Sequence, residues 1–119
     1  MRVMDIGKLN KRLTFLYYKD VEDEIGQISQ KLTPLKTVWG SLYPTRGSEF
    51  YEAQKLRSKV TYKVYVRYIH DVEITSENYI EYKDKLYAIE SVNNVDIANK
   101  MLEIYATEYT NDEEVSHDE

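Results

Sequence analysis

Apolar and polar residues alternate with a period of two along most of this chain, the pattern of strands that bury one face. From Val60 to Ile69, the residues Val60, Tyr62, Val64, Val66 and Tyr68 fall on one side and Thr61, Lys63, Tyr65 and Arg67 on the other. Lys36 to Tyr43 reads as another strand, with Val38, Gly40 and Leu42 opposed to Trp39, Ser41 and Tyr43, and it is stopped by Pro44, which lacks a ladder donor. Tyr79–Tyr82 and Leu86–Val92 flank the polar turn Lys83-Asp84-Lys85 and predict an antiparallel hairpin. The last strand, Lys100 to Tyr109, places Leu102, Ile104 and Ala106 on one face. At the front, Leu13 to Tyr18 is rich in aromatic and β-branched residues, and the acidic stretch Asp20 to Gly26 reads as a long turn into a second strand at Gln27 to Leu32.

Only Ser48 to Ser58 argues for helix. Ser48 is placed as an N-cap, Glu49 and Glu52 lie in the first turn, and Phe50, Ala53 and Leu56 are within reach of one face. About six to seven strands and one short helix in a long loop predict a mainly β fold, a small β-barrel or compact sandwich.

The length of 119 residues fits one domain with a real core, expected over residues 1–110. Asp112, Glu113, Glu114, Asp118 and Glu119 account for five of the 21 acids, which leaves 16 against 16 basic residues. The body is therefore neutral, and residues 111–119 read as an acidic disordered tail. No cysteine is present, which removes disulfides and thiolate chemistry and suits folding in a reducing cytoplasm. The first fifteen residues carry neither a signal-peptide apolar block nor a membrane span, so no membrane association is expected.

Catalytic chemistry finds few carriers. His70 sits at a strand end and His117 in the tail, so they form no pair. Gly7, Gly26, Gly40 and Gly47 are scattered and make no phosphate-cradling loop. Without a metal-ligand spacing, an activated serine or a placed general base, no enzyme, no cofactor and no metal are expected. Twelve tyrosines favour interaction surfaces instead, because each couples a flat apolar ring to a polar tip.

One charge cluster changes the picture. Arg46 to Arg67 holds six basic residues against Glu49 and Glu52, a local charge of +4. Either it is a solvated face, or it meets phosphates, whose dense charge attracts Lys and Arg whatever the base sequence. The lone Trp39 has core packing as its default, with an interface anchor as the alternative.

Several stretches, taken in order, resemble the head-tail joining family of tailed bacteriophages and prophages, which includes head-completion and stopper proteins. Ile6-Gly7-Lys8-Leu9-Asn10-Lys11-Arg12-Leu13 is similar to the family's Gly-x-Leu-x-x-Arg lead into the first strand. Val38-Trp39-Gly40-Ser41-Leu42-Tyr43-Pro44, followed by Arg46-Gly47-Ser48-Glu49, resembles its tryptophan strand and Gly-x-Glu loop. Thr61 to Tyr68, with Arg67 and Tyr68, and the hairpin Ile80 to Ile89 match its later strands. The tail beyond Tyr109 is not part of that pattern.

The resemblance implies a structural virion protein of the phage neck. It would form a sixfold or twelvefold ring below the portal and its adaptor, close the filled head and offer the tail, or a tail-terminator protein, its attachment surface. Double-stranded DNA would pass through the lumen. Arg46, Lys55, Arg57 and Lys59 become candidates for the channel or the next ring, and Arg12, Trp39, Arg67 and Tyr68 for interface or core. Two other readings stay open on the residues: an OB-like nucleic-acid-binding barrel with Tyr62, Tyr65, Arg67 and Tyr68 as a stacking face, and a carbohydrate-binding or tail-fibre module.

Overall fold

A computed structural model describes residues 9–45 and 60–109. The strands are β1 (Lys11–Glu22), β2 (Ile28–Pro44), β3 (Thr61–Arg67), β4 (Tyr79–Tyr82), β5 (Lys85–Asn94) and β6 (Met101–Tyr109). All pairings are antiparallel, and the sheet closes in the order β1-β2-β3-β6-β5-β4. A closed sheet has no free edge along the stretches that pair on both sides. The expected mainly β barrel is the observed fold. The helix expected at Ser48 to Ser58 and the acidic tail both lie outside the described residues.

The two-residue period puts one set of side chains inside. Leu13 and Phe15 of β1 meet Val64 and Val66 of β3, Ile80 of β4, Tyr87 and Ile89 of β5, and Leu102, Ile104 and Ala106 of β6 in one core cluster. Gly40 is the inward residue of β2 opposite Val66. A Cβ there would lie 2.7 Å from the Tyr65 carbonyl oxygen, 2.7 Å from Val66 Cγ1 and 2.8 Å from Leu13 Cδ1. Only glycine lets β2 pass this close to β3.

Two expectations at the front are corrected. Gln27–Leu32 and Lys36–Tyr43 are not separate strands, because β2 runs unbroken from Ile28 to Pro44. Pro34 is accommodated where the β1–β2 register shifts: Phe15 pairs Lys36 and Leu16 pairs Pro34, leaving Leu35 as the extra residue of a bulge. Nor is Asp20–Gly26 simply a turn. The β1–β2 ladder continues to Glu22 opposite Ile28, well past Leu16, the last β1 residue that pairs with β4. Tyr18 still packs edge-on against Tyr79 of β4 at 5.3 Å, and beyond it residues 19–31 form a two-stranded arm that is exposed throughout.

The arm's tip is well defined. Asp23 Oδ1 accepts from the Ile25 and Gln27 amides at 3.0 and 2.8 Å, and Gly26 takes φ 86°. The β4–β5 turn is tighter than the three residues expected. Tyr82 pairs Lys85, and both Lys83 (φ 50°) and Asp84 (φ 67°) are left-handed, the two-residue turn that matches strand twist.

Between β3 and β4 the chain crosses the barrel end, tied down by Asn78. Its buried side chain donates to the Leu16 carbonyl at 3.2 Å and accepts from the Thr75 amide at 2.8 Å. The Ile89 amide donates to the Asn78 carbonyl at 3.3 Å. One residue thus links β1, the crossover and β5.

Candidate functional site

The outer wall formed by β1, β2, β3 and β6 carries the molecule's most distinctive side chains. Arg12 of β1 pairs directly with Trp39 of β2. Because Gly40 pairs Val66 in an antiparallel register, the next position puts Trp39 beside Arg67, which itself pairs Met101 of β6. Arg12, Trp39 and Arg67 thus form a row across three strands, with the guanidinium of Arg12 4.8 Å from the Trp39 ring centroid.

Trp39 is 54% exposed, so the default of core packing for a lone tryptophan is corrected. The reason is register: Val38 and Gly40 take the inward positions and parity turns Trp39 out. Tyr68 follows at the end of β3, half-buried, its amide donating to the Lys100 carbonyl at 2.9 Å and its ring edge-on to His70 at 4.7 Å. A shallow cleft runs from Trp39 past Arg67 and Tyr68 to His70, with Lys36 on its rim. Lys36 Nζ is bound to Asp71 at 2.8 Å, and this hydrogen bond holds the Asp71 carboxyl below its usual range. Arg12 and Arg67 make no ion pair among the described residues. Their charges are available to a partner.

Next along the wall is a tied cluster. Tyr65 OH donates to Glu103 Oε2 at 2.8 Å, Lys63 Nζ lies 3.8 Å from the same oxygen and 5.4 Å from the Tyr105 ring centroid, and Tyr43 packs edge-on against Tyr65 at 6.5 Å. Burial, then the Glu103 carboxylate, push the Tyr65 hydroxyl's pKa up. These groups fix one another in place and make a rigid, aromatic, amphipathic surface.

The structure brings together Arg12, Trp39, Arg67 and Tyr68, which the sequence places on three separate segments. Arg46, Lys55, Arg57 and Lys59 lie outside the described residues; of the residues that flank them, the Thr45 amide donates to the Thr61 carbonyl at 2.9 Å. The stacking face drawn through Tyr62, Tyr65, Arg67 and Tyr68 does not form, since Tyr62 packs against Tyr87 and the core while Tyr65 is outside. Sequence reasoning missed the arm. The signal was the run of acids around Val21 and Ile25, with Ile28 just after it; all three apolar residues are exposed.

The described residues form a closed barrel with an exposed Arg12–Trp39–Arg67 row on its wall and a projecting two-stranded arm. Among the described residues, no group of three or more His, Cys, Asp or Glu is placed to hold a metal. The chain matches the family model described as phage head completion protein over residues 4–109. It belongs to the phage head completion protein family, a family of structural virion proteins rather than enzymes. Its fold is similar to the solution structure of a Shigella flexneri 2a protein, with 25% identity, 88% of this chain and 96% of that chain covered, and a TM-score of 0.67. It is also similar in fold to a chain in the virion of a native gene transfer agent particle, at 17% identity, 84% and 94% coverage and a TM-score of 0.57. No curated protein matches the sequence.

Proposed function

We propose that this protein forms a ring beneath the portal and its adaptor, closes the DNA-filled head and presents the surface to which the tail, or its terminator protein, attaches. The observation that carries this reading is the family match across 4–109, supported by an exposed Trp39 with Arg12 beside it on the barrel wall. The mechanism is geometric and electrostatic. Copies side by side around a sixfold or twelvefold axis surround the exit channel, and double-stranded DNA runs through the lumen.

The segment carrying Arg46, Lys55, Arg57 and Lys59 emerges from the barrel end where β2 stops and β3 starts. Strand rise puts that end about 17 Å from the Trp39 row. In this reading the basic residues meet DNA or the next ring and the Trp39 row meets a protein neighbour.

Electron microscopy of particles, with and without this protein, tests the reading. An added ring at the head's exit, with DNA lost from particles that lack the protein, is the expected result. Particles that hold their genome and join tails without it overturn the assignment. Reversal of charge at Lys55, Arg57 and Lys59 tests the channel role separately: unchanged assembly and DNA retention would remove those residues from it.

A further inference from the structure

The arm and the Arg12–Trp39–Arg67 row are complementary in chemistry, yet they cannot meet within one molecule. At the arm's tip, Ile25 is 83% and Ile28 64% exposed, and Asp20, Glu22, Asp23 and Glu24 place four acids in five positions beside them. The row offers the converse, an exposed indole between two arginines that make no ion pair among the described residues. Ile28 and Trp39 belong to the same unbroken strand, which holds them about 36 Å apart at a strand's rise per residue. The strand acts as a ruler.

The arm is also incomplete as it stands. Beyond Tyr18, whose ring packs on Tyr79, it is an exposed two-stranded ribbon, an arrangement that is only marginally stable in water without something packed on it. Lys19 faces Lys31 directly across the ladder, and like charges so placed weaken a ribbon.

We propose that the arm tip of one copy docks on the Arg12–Trp39–Arg67 row of the next, Ile25 and Ile28 covering the indole while Glu22 and Glu24 meet the two guanidiniums. The proposal rests on the ring reading above and deepens it by naming the subunit contact. The contact is heterologous, since tip and row are different surfaces, and heterologous contacts that close make rings. A tip this narrow covers far less than the area of a stable binary interface, so free copies stay apart. Copies held side by side on an adaptor ring gain the effective concentration that completes the contact.

The absence of cysteine makes a direct test possible. Glu24 is at the tip, and Thr37 is exposed two residues before Trp39 on the same face. Within one chain the two are about 30 Å or more apart by strand rise, far beyond the few ångströms a disulfide spans, so a bond between them joins two copies. The full-length Glu24→Cys/Thr37→Cys variant, assembled into particles and mildly oxidised, is expected to run as a ladder of trimers and higher species on a non-reducing gel, where either single variant stops at dimers. Adding Trp39→Ser, or Arg12→Glu with Arg67→Glu, is expected to cut the ladder more than tenfold. A ring seen by microscopy without a ladder overturns the arm contact and leaves the ring reading standing. Dimers alone from the double variant overturn the heterologous arrangement in favour of reciprocal exchange. No ring at the head's exit overturns both.

Discussion

Arg12 holds its guanidinium 4.8 Å from the centre of the Trp39 ring on the outside of the barrel, where neither side chain adds to the core. The geometry orients an exposed indole at the cost of two side chains' freedom, and exposed pairs of this kind contribute only about 0.5–1 kcal/mol to stability. Trp39→Ala is therefore expected to lower unfolding free energy by no more than about 1 kcal/mol in urea titration, while particles carrying it fail to join tails. An unfolded Trp39→Ala protein would return the residue to a core role.

Gly40→Ala is the opposite case. The added methyl meets the Tyr65 backbone and two core side chains at 2.7–2.8 Å, and the backbone cannot swing aside within a closed ladder. Overpacking of this kind costs about 1–3 kcal/mol. Thermal or urea unfolding should show that loss, against little change for alanine at an outward position of the same strand such as Thr37.

Asn78→Ala leaves the Leu16 carbonyl and the Thr75 amide without their partner at the barrel end. A loss of about 1–3 kcal/mol is expected from those stranded groups. Amide exchange should quicken across 70–78 more than in β3 or β6, because the crossover is held by this residue whereas the central strands are held by their ladders.

Burial, with Tyr62 and Glu108 adding to it, pushes the Tyr87 hydroxyl from 10.0 up to about 12, and burial with Glu103 raises Tyr65 as well. In the unfolded chain these phenols ionise first, so their contribution to stability is complete below pH 10 and is lost as pH rises from 10 to about 12. Denaturant midpoints measured between pH 9 and pH 12 should fall across that window, and Tyr87→Phe should flatten the decline. An unchanged slope in that variant would assign the loss to other tyrosines.

Much of the fold was legible from alternation. Val64, Val66, Leu102, Ile104 and Ala106 are inward because a strand with one buried face must place every second residue there. The Tyr82–Lys85 hairpin was legible for the same reason, as were the absence of recognisable catalytic spacing and the family to which the chain belongs. The acidic Asp20–Gly26 stretch was not: exposed ribbon and exposed turn share a polar composition, and only the β1–β2 register separates them.

The sequence by itself determined what lies inside, since period-two burial is local, and it determined which residue types were on hand to recognise a partner. The tertiary structure alone decided that Arg12, Trp39 and Arg67 form one row, because neighbours across strands are set by register and a shift of one residue would have turned Trp39 into the core. It also decided that the acidic, apolar tip stands far from that row. A continuous β2 fixes the separation, and strand continuity through Pro34 depends on a bulge that hydrophobic pattern does not encode.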